Sequence, residues 1–320
     1  MDYALFYNSL LLFGGILVLV RSGTWLVYSL IQLARFLQVS EYVLSFLLMS
    51  VATTLPELFV GISSALGGTP LLSLGNVQGS IIVNLSLILG IVVIGAKIFK
   101  VGDVSSRDAW FTSALIASPV VLMWDGNLNR VEAVLLLLLF LIYANRLIQW
   151  HRIIPQDDST HLGRDGEWSF ASFLKNFLKF FAGILLLLGS SYAITLGAKN
   201  LIQSVGLSET FLGFFVIAIG TSLPELTFAL RASLFKHEQL SLGNLIGASV
   251  LNATLVLGVT GVIVPITVDH DIEFRIGAIM TLVVVLFANV FLRSKGTLTR
   301  REGAALIALY GLFVVLELIF

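Results

Sequence analysis

The 320-residue chain contains no cysteine. That excludes a disulfide framework, thiolate metal ligands and a thiol nucleophile. Charge is also scarce. Asp, Glu, Lys and Arg make up 12% of the residues, against about 25% in soluble domains. The formal net charge is zero, so there is no basic surface of the kind that nucleic acids require. No glycine-rich phosphate loop with its lysine is present, which argues against nucleotide-driven pumping. Proline is rare, at six residues, so each one is a positional clue.

What the chain has in excess is apolar surface, at 57% of residues. A single water-soluble core cannot bury that share, so lipid must cover part of it. A hydrocarbon core of ~30 Å needs ~20 apolar residues per helix. Suitable runs lie near 4–34, 41–67, 71–97, 107–124, 131–150, 170–203, 209–236, 240–267, 273–293 and 302–319. The first follows Met1-Asp2 with no positive leader and reads as a retained helix. The expected fold is therefore all-α and integral to the membrane, with ten transmembrane helices. A polar stretch, 151–169, separates an N-terminal five-helix half (1–150) from a C-terminal one (170–320).

Lys and Arg flanking the spans orient such a protein, because they are retained in the cytoplasm. With the N-terminus outside, only Arg130, Lys199 and Arg275 fall in outer loops, against fourteen on the cytoplasmic side. Both termini are thus expected outside the cell membrane, with the central linker cytoplasmic.

The chain also repeats itself. Residues 50–90 align with 218–258 at a constant offset of 168, and sixteen of the positions are identical. They include Thr53/Thr221, Leu55-Pro56-Glu57-Leu58 against Leu223-Pro224-Glu225-Leu226, Gly75-Asn76 against Gly243-Asn244, Gly79/Gly247 and Asn84/Asn252. Five spans per half is an odd number, so the second copy enters the membrane from the opposite side. The two copies are inverted, as in many secondary transporters.

Glu57 and Glu225 fall midway along the second and seventh spans. An ionisable group at that depth costs ~2.5–3.5 kcal/mol on insertion scales, so two at matching positions point to function. Pro56 and Pro224 cannot donate to the carbonyls of Ala52 and Gly220, which are thereby freed as hard-cation ligands. Thr53 and Glu57 are spaced i, i+4, as are Thr221 and Glu225, and Ser80 and Asn84. Each pair is thus expected to share a helix face. Thr54 and Ser222 flank the prolines. Taken alone, a proline can be a packing kink, a threonine can bond to its own helix and a glycine can merely let helices approach. Duplication at constant offset sets the joint reading apart. The donor set is all oxygen, which suits calcium, magnesium or sodium and argues against zinc or copper. Two carboxylates match the charge of one divalent ion.

These motifs, in both copies, resemble the alpha-repeats of the calcium/cation antiporter superfamily, in particular the prokaryotic sodium/calcium and calcium/proton exchangers. The similarity covers essentially the whole chain. It implies that Glu57 and Glu225 are the central calcium ligands. It further implies that the side chains of Thr53, Thr54, Thr221, Ser222, Ser80 and Asn84, and the backbone carbonyls of Ser50 and Ala218, line the calcium or coupling-ion sites, with Asn252 beside them. Two positions depart from the sodium exchangers. Ala248 stands where they usually have a serine, and Asn84 and Asn252 are both amides where they often carry one aspartate. Fewer oxygens and one acid less disfavour several sodium ions. The expected activity is therefore secondary active exchange of Ca2+ for protons by alternating access, with Na+/Ca2+ exchange as the alternative. Transport of another divalent cation, or a channel, is more remote. No nucleophile–base pair lies at membrane depth, so no enzyme is expected. The expected partners are calcium, a monovalent coupling ion and membrane lipid, with no cofactor, nucleic acid or protein partner. Asp269, His270, Asp271 and Glu273 read as a solvated loop, and Arg21 as snorkelling or pairing within the first helix.

Overall fold

The computed structural model describes residues 2–37, 44–68, 70–96, 99–101, 106–151, 170–205, 218–268, 272–293 and 296–319. Ten helical spans occur among them. α1 is Asp2–Leu37. α2 is broken into α2N, Ser45–Thr53, and α2C, Leu55–Leu66, with a 47° bend between them. α3 is Pro70–Gly95, α4 Ser106–Leu122 and α5 Arg130–His151. In the second half, α6 is Phe170–Val205. α7 is again broken, into α7N, Ala218–Thr221, and α7C, Leu223–Leu234. α8 is Glu238–Ile263, α9 Ile272–Arg293 and α10 Arg300–Ile319. His151 thus ends α5 rather than opening the linker. The remainder of the linker, 152–169, lies outside the described residues, as do Asp269, His270 and Asp271.

The offset of 168 is kept by the helix ends themselves. α1 and α6, α2C and α7C, and α3 and α8 begin and end at residues 168 apart. α3, α6, α8, α9 and α10 each hold an apolar stretch long enough to cross a membrane, and the two parts of α2 make a sixth crossing around their bend. Repeat correspondence supplies the others.

Four two-residue strands record the inversion. β1 (Phe99–Lys100) pairs antiparallel with β4 (Thr297–Leu298), and β2 (Asn127–Leu128) with β3 (Ile266–Thr267). β1 and β3 follow the third span of their halves, and β2 and β4 the fourth. Exchanging the halves therefore maps one pairing onto the other. A pairing also requires both loops to lie on one side of the membrane. Six spans separate β1 from β4, and four separate β2 from β3. Both numbers are even, as ten crossings demand.

α3 and α8 form the centre. Of their most apolar stretches 78% is buried, against 17% for α10, which faces lipid. Without a hydrophobic drive inside lipid, close packing must come from small residues. Gly90 on α3 lies against Gly303 and Ile307 of α10. Its repeat mate Gly258 on α8 lies against Leu137 and Ala133 of α5. A Cβ at either glycine would come within 2.7 Å of its neighbour. α5 and α10 start at matching capping boxes. Asn129 and Glu132 satisfy each other's backbone N–H groups, and so do Thr299 and Glu302. α1 and α6 pair as a separate layer. Leu26, Leu30, Phe180 and Leu187 pack there on Met49 of α2N and Phe228 of α7C. Arg21 stacks its guanidinium over Trp25, 5.8 Å from the ring centre, so it does pair within its own helix.

Candidate functional site

The site is built where α2 and α7 break. Pro56 and Pro224 occupy the first turn of α2C and α7C rather than a helix interior. Proline is favourable there because its missing N–H would have no intrahelical partner. This corrects the expected helix-interior position of the two prolines. Glu57 and Glu225 follow at once, so each carboxylate sits in the first turn of a half-helix, at the positive end of its dipole.

The break also corrects the expected i, i+4 pairing of Thr53 with Glu57 and of Thr221 with Glu225. The bend lies between the members of each pair, so they do not share a face of one helix. The pairing crosses the pseudo-two-fold axis instead. Glu57 meets the Thr221 hydroxyl, and Glu225 meets that of Thr53. The two carboxyls are close enough to repel each other. Each is 1% exposed, and none of their four oxygens reaches a partner at hydrogen-bond geometry.

α3 and α8 bring the amides. Both helices contain a π-helical turn, Val83–Ile88 in α3 and Asn252–Val256 in α8, a distortion common at functional sites. Asn84 and Asn252 lie in these turns. The α3 turn packs against α7C and the α8 turn against α2C, so each asparagine is delivered to the glutamate-bearing segment of the opposite repeat. Within the turns, the hydroxyls of Ser86 and Thr254, another repeat pair, donate to the carbonyls of Ile82 and Val250. They thereby take up acceptors loosened by the wider turn.

Buried polar side-chain atoms without partners include many of the expected residues: the hydroxyls of Thr54, Ser222 and Ser80, both polar atoms of Asn84 and of Asn252, and the carboxylates. Leaving such a group unsatisfied costs about 1–3 kcal/mol, more for a charge. A concentration of them is unfavourable unless a cation draws on the oxygens. Of the two expected backbone ligands, the Ser50 carbonyl accepts from the Thr54 N–H at 2.9 Å and the Thr53 hydroxyl at 3.4 Å. Ala218 opens α7N.

Two residues beyond the expected set, Asn244 and Asn76, belong to the same region, and Ser50 gains a side-chain role there. The Thr53 hydroxyl donates to Asn244 Oδ1 at 3.3 Å, while the Asn244 amide nitrogen has no partner. Asn76, its repeat mate, likewise has an unpartnered amide nitrogen. The Ser50 side chain reaches the carbonyls of Gly243 and Asn244 at 3.3 and 3.2 Å. The repeated Gly-Asn pair was the signal for both asparagines. Nothing in the sequence signals the Ser50 contact.

The family profile described as "Sodium/calcium exchanger protein" matches residues 7–149 and 175–319. The chain belongs to this family. Its two matched segments are the two structural halves. Among named relatives, the "Putative antiporter CaxA" of Alkalimonas amylolytica is 28% identical, over 92% of this chain and 93% of its own. The "Sodium/calcium exchanger MaX1" of Methanosarcina acetivorans is 26% identical, over 96% of this chain and 97% of its own. A solved structure of the sodium-calcium exchanger NCX_Mj, soaked with 10 mM Na+ and no Ca2+, superposes with a TM-score of 0.84 at 23% identity. It covers 97% of this chain and 99% of the other. At that identity the match establishes the fold: ten transmembrane helices in two inverted repeats. Membership of an exchanger family makes this chain a multi-pass membrane antiporter of the cation/calcium class.

Proposed function

We propose that this antiporter binds Ca2+ between Glu57 and Glu225 and exchanges it for Na+ by alternating access. The carrying observation is the pair of buried carboxyls, one from each repeat, each facing a hydroxyl of the other. The proposed calcium ligands are Glu57, Glu225, Thr53 and Thr221, with the backbone carbonyls of Ser50 and Ala218. Thr54, Ser222, Ser80, Asn84 and Asn252 line the coupling-ion positions. One Ca2+ neutralises both carboxylates. Coupling ions must replace that charge before the site can cross again, which makes the exchange obligatory.

Sodium as the counter-ion is supported by the family and by the relatives named as sodium/calcium exchangers. The expectation of protons rests on specific residues and stands as the second reading. Ala248 supplies no oxygen, and Asn84 and Asn252 supply no third carboxylate. Two protons on Glu57 and Glu225 would replace one Ca2+ without moving net charge. Calcium uptake into proteoliposomes, under sodium and proton gradients imposed separately, decides between them. Sodium coupling gives uptake that needs a sodium gradient. Uptake driven by a pH gradient in sodium-free vesicles overturns it in favour of protons.

We also infer that both termini face outward and that the linker is cytoplasmic, on the strength of the charge distribution. A single cysteine at Ser159 should resist an impermeant thiol reagent in intact cells. Ready labelling there reverses the orientation.

A further inference from the structure

A cavity of about 480 Å3 opens in the wall of the bundle between α3, α4 and α9, and none of the ion-site residues lines it. That volume lies in the range of small-molecule sites, ~300–1,000 Å3. Its depth is apolar, formed by Val77 and Ile81 of α3, Ile116 of α4, Leu257 of α8 and Leu282 of α9. At the β2–β3 end of the molecule the lining includes Trp124, Asp125 and Arg275. Trp124 is 84% exposed. An exposed tryptophan at a span end is typical of the membrane–water boundary. Ile279 on the cavity wall and neighbouring Val121 are exposed among the lipid-facing side chains.

Two polar groups lie deeper. Thr281, on the cavity lining, is 1% exposed, and its hydroxyl is buried without a partner. It lies six residues beyond Arg275, about 9 Å along the helix at 1.5 Å per residue. Gln78 reaches α9 because residue 277 is glycine. A Cβ there would come within 2.6 Å of the Gln78 side-chain oxygen.

We propose that this cavity is a binding site for one membrane phospholipid with a zwitterionic headgroup. The phosphate lies at Arg275, the ammonium at Asp125, and one acyl chain fills the apolar depth. The Thr281 hydroxyl donates to a fatty-ester carbonyl. The order of groups along the cavity matches the order along the lipid: paired charges at the boundary, a neutral donor one headgroup length deeper, and then hydrocarbon only. A soluble anion has no use for the apolar depth, and a plain hydrocarbon has none for the rim charges or the buried hydroxyl. The chain rests on the Val77–Ile81 face of α3, the helix that also carries Ser80 and Asn84. Occupancy therefore alters the packing behind the ion site, and the lipid modulates transport rate.

The test is a titration of delipidated full-length protein in detergent with dioleoyl phosphatidylethanolamine, read by native mass spectrometry. One lipid per chain should bind more tightly than the rest. Filling the cavity with Ala278→Trp should weaken that one at least ~10-fold, equivalent to ~1.4 kcal/mol. Arg275→Gln and Thr281→Val should each weaken it several-fold while leaving thermal unfolding near wild type. Glycerophosphoethanolamine, the headgroup without chains, should not compete. Undiminished lipid binding by a folded Ala278→Trp protein, or equal binding of the chainless headgroup, overturns the proposal. If Ala278→Trp does not fold, wild-type binding by both Arg275→Gln and Thr281→Val has the same force.

Discussion

The two halves share a fold and a sequence motif, yet the residues that fasten the first half are not all repeated in the second. α2N is tied to α8 by three hydroxyls. Ser45 donates to the Leu240 carbonyl at 2.7 Å, Ser50 reaches Gly243 and Asn244, and Thr53 reaches the Asn244 side chain. At the matching positions of the second half stand Gly213, Ala218 and Thr221, so only the threonine is kept. The oxygens differ as well. Ser80 has an unpartnered buried hydroxyl where the other half has Ala248. What is common to both halves is the break, the glutamate in the first turn after it, the threonine before it and the asparagine in the π-helical turn. Those are the parts an inverted-repeat transporter needs to present alike from either side. What differs is free to set which ions fit and which half-helix holds firm.

The largest expected effect tests what is common. Glu57→Gln and Glu225→Gln should each reduce calcium exchange at least ~100-fold, because a divalent ion left with one carboxylate in a buried site loses several kcal/mol of stabilisation. Insertion and thermal stability should be retained. Calcium flux into proteoliposomes at matched protein content measures this. Substantial exchange by either variant would show that the two glutamates are not equivalent, and the functional symmetry would fail there.

The features shared by the halves were also those most legible in sequence. Chemistry kept at a constant offset survives without coordinates, which is why the repeat, the glutamates and the inversion could be read directly. The position of the break could not be fixed as well. Pro56 reads equally as a kink within a helix or as the first turn of a new one, and only the 47° bend separates the two. That difference decides whether Thr53 serves the glutamate of its own repeat or that of the other. The π-helical turns at Asn84 and Asn252 leave no compositional trace. The strand pairings involve two residues each, too few to carry an alternating pattern. Ser50 was expected for its carbonyl alone, and its side-chain role depends on a glycine 197 positions away in sequence.

That glycine gives the second prediction, which probes how firmly the first half is fastened. A Cβ at Gly247 would lie 2.1 Å from the Ser50 hydroxyl and 2.8 Å from its Cβ. Gly247→Ala should force α2N off α8 and destabilise the protein by roughly 1–3 kcal/mol, the usual range for overpacking. Ser50→Ala alone should cost about 1 kcal/mol, from lost hydrogen bonds. The double variant should be more stable than Gly247→Ala, because the closest clash is gone. Thermal unfolding in detergent gives all three values. A double variant no better than Gly247→Ala would mean that this contact does not hold the two helices in register.

The smallest expected effect concerns the oxygens that differ. Ser80 and Ala248 are repeat mates on α3 and α8. Ala248 is fully buried, as is Ser80. A hydroxyl added at 248 would make the two sides of the site more alike. Coordinating a small cation replaces its water oxygens one for one, so one more oxygen helps an ion that depends on neutral ligands. Sodium, with a single charge, leans on such ligands more than calcium, which is held chiefly by the two carboxylates. Ala248→Ser should therefore strengthen sodium's inhibition of calcium uptake by a few-fold, within ~1 kcal/mol, and change the calcium affinity less. Ser80→Ala should weaken the same inhibition. If sodium already couples transport, the serine variant should also lower the sodium concentration for half-maximal exchange. Sodium inhibition unchanged in both variants would show that neither position reaches a coupling ion, and the asymmetry between Ser80 and Ala248 would then be one of packing alone.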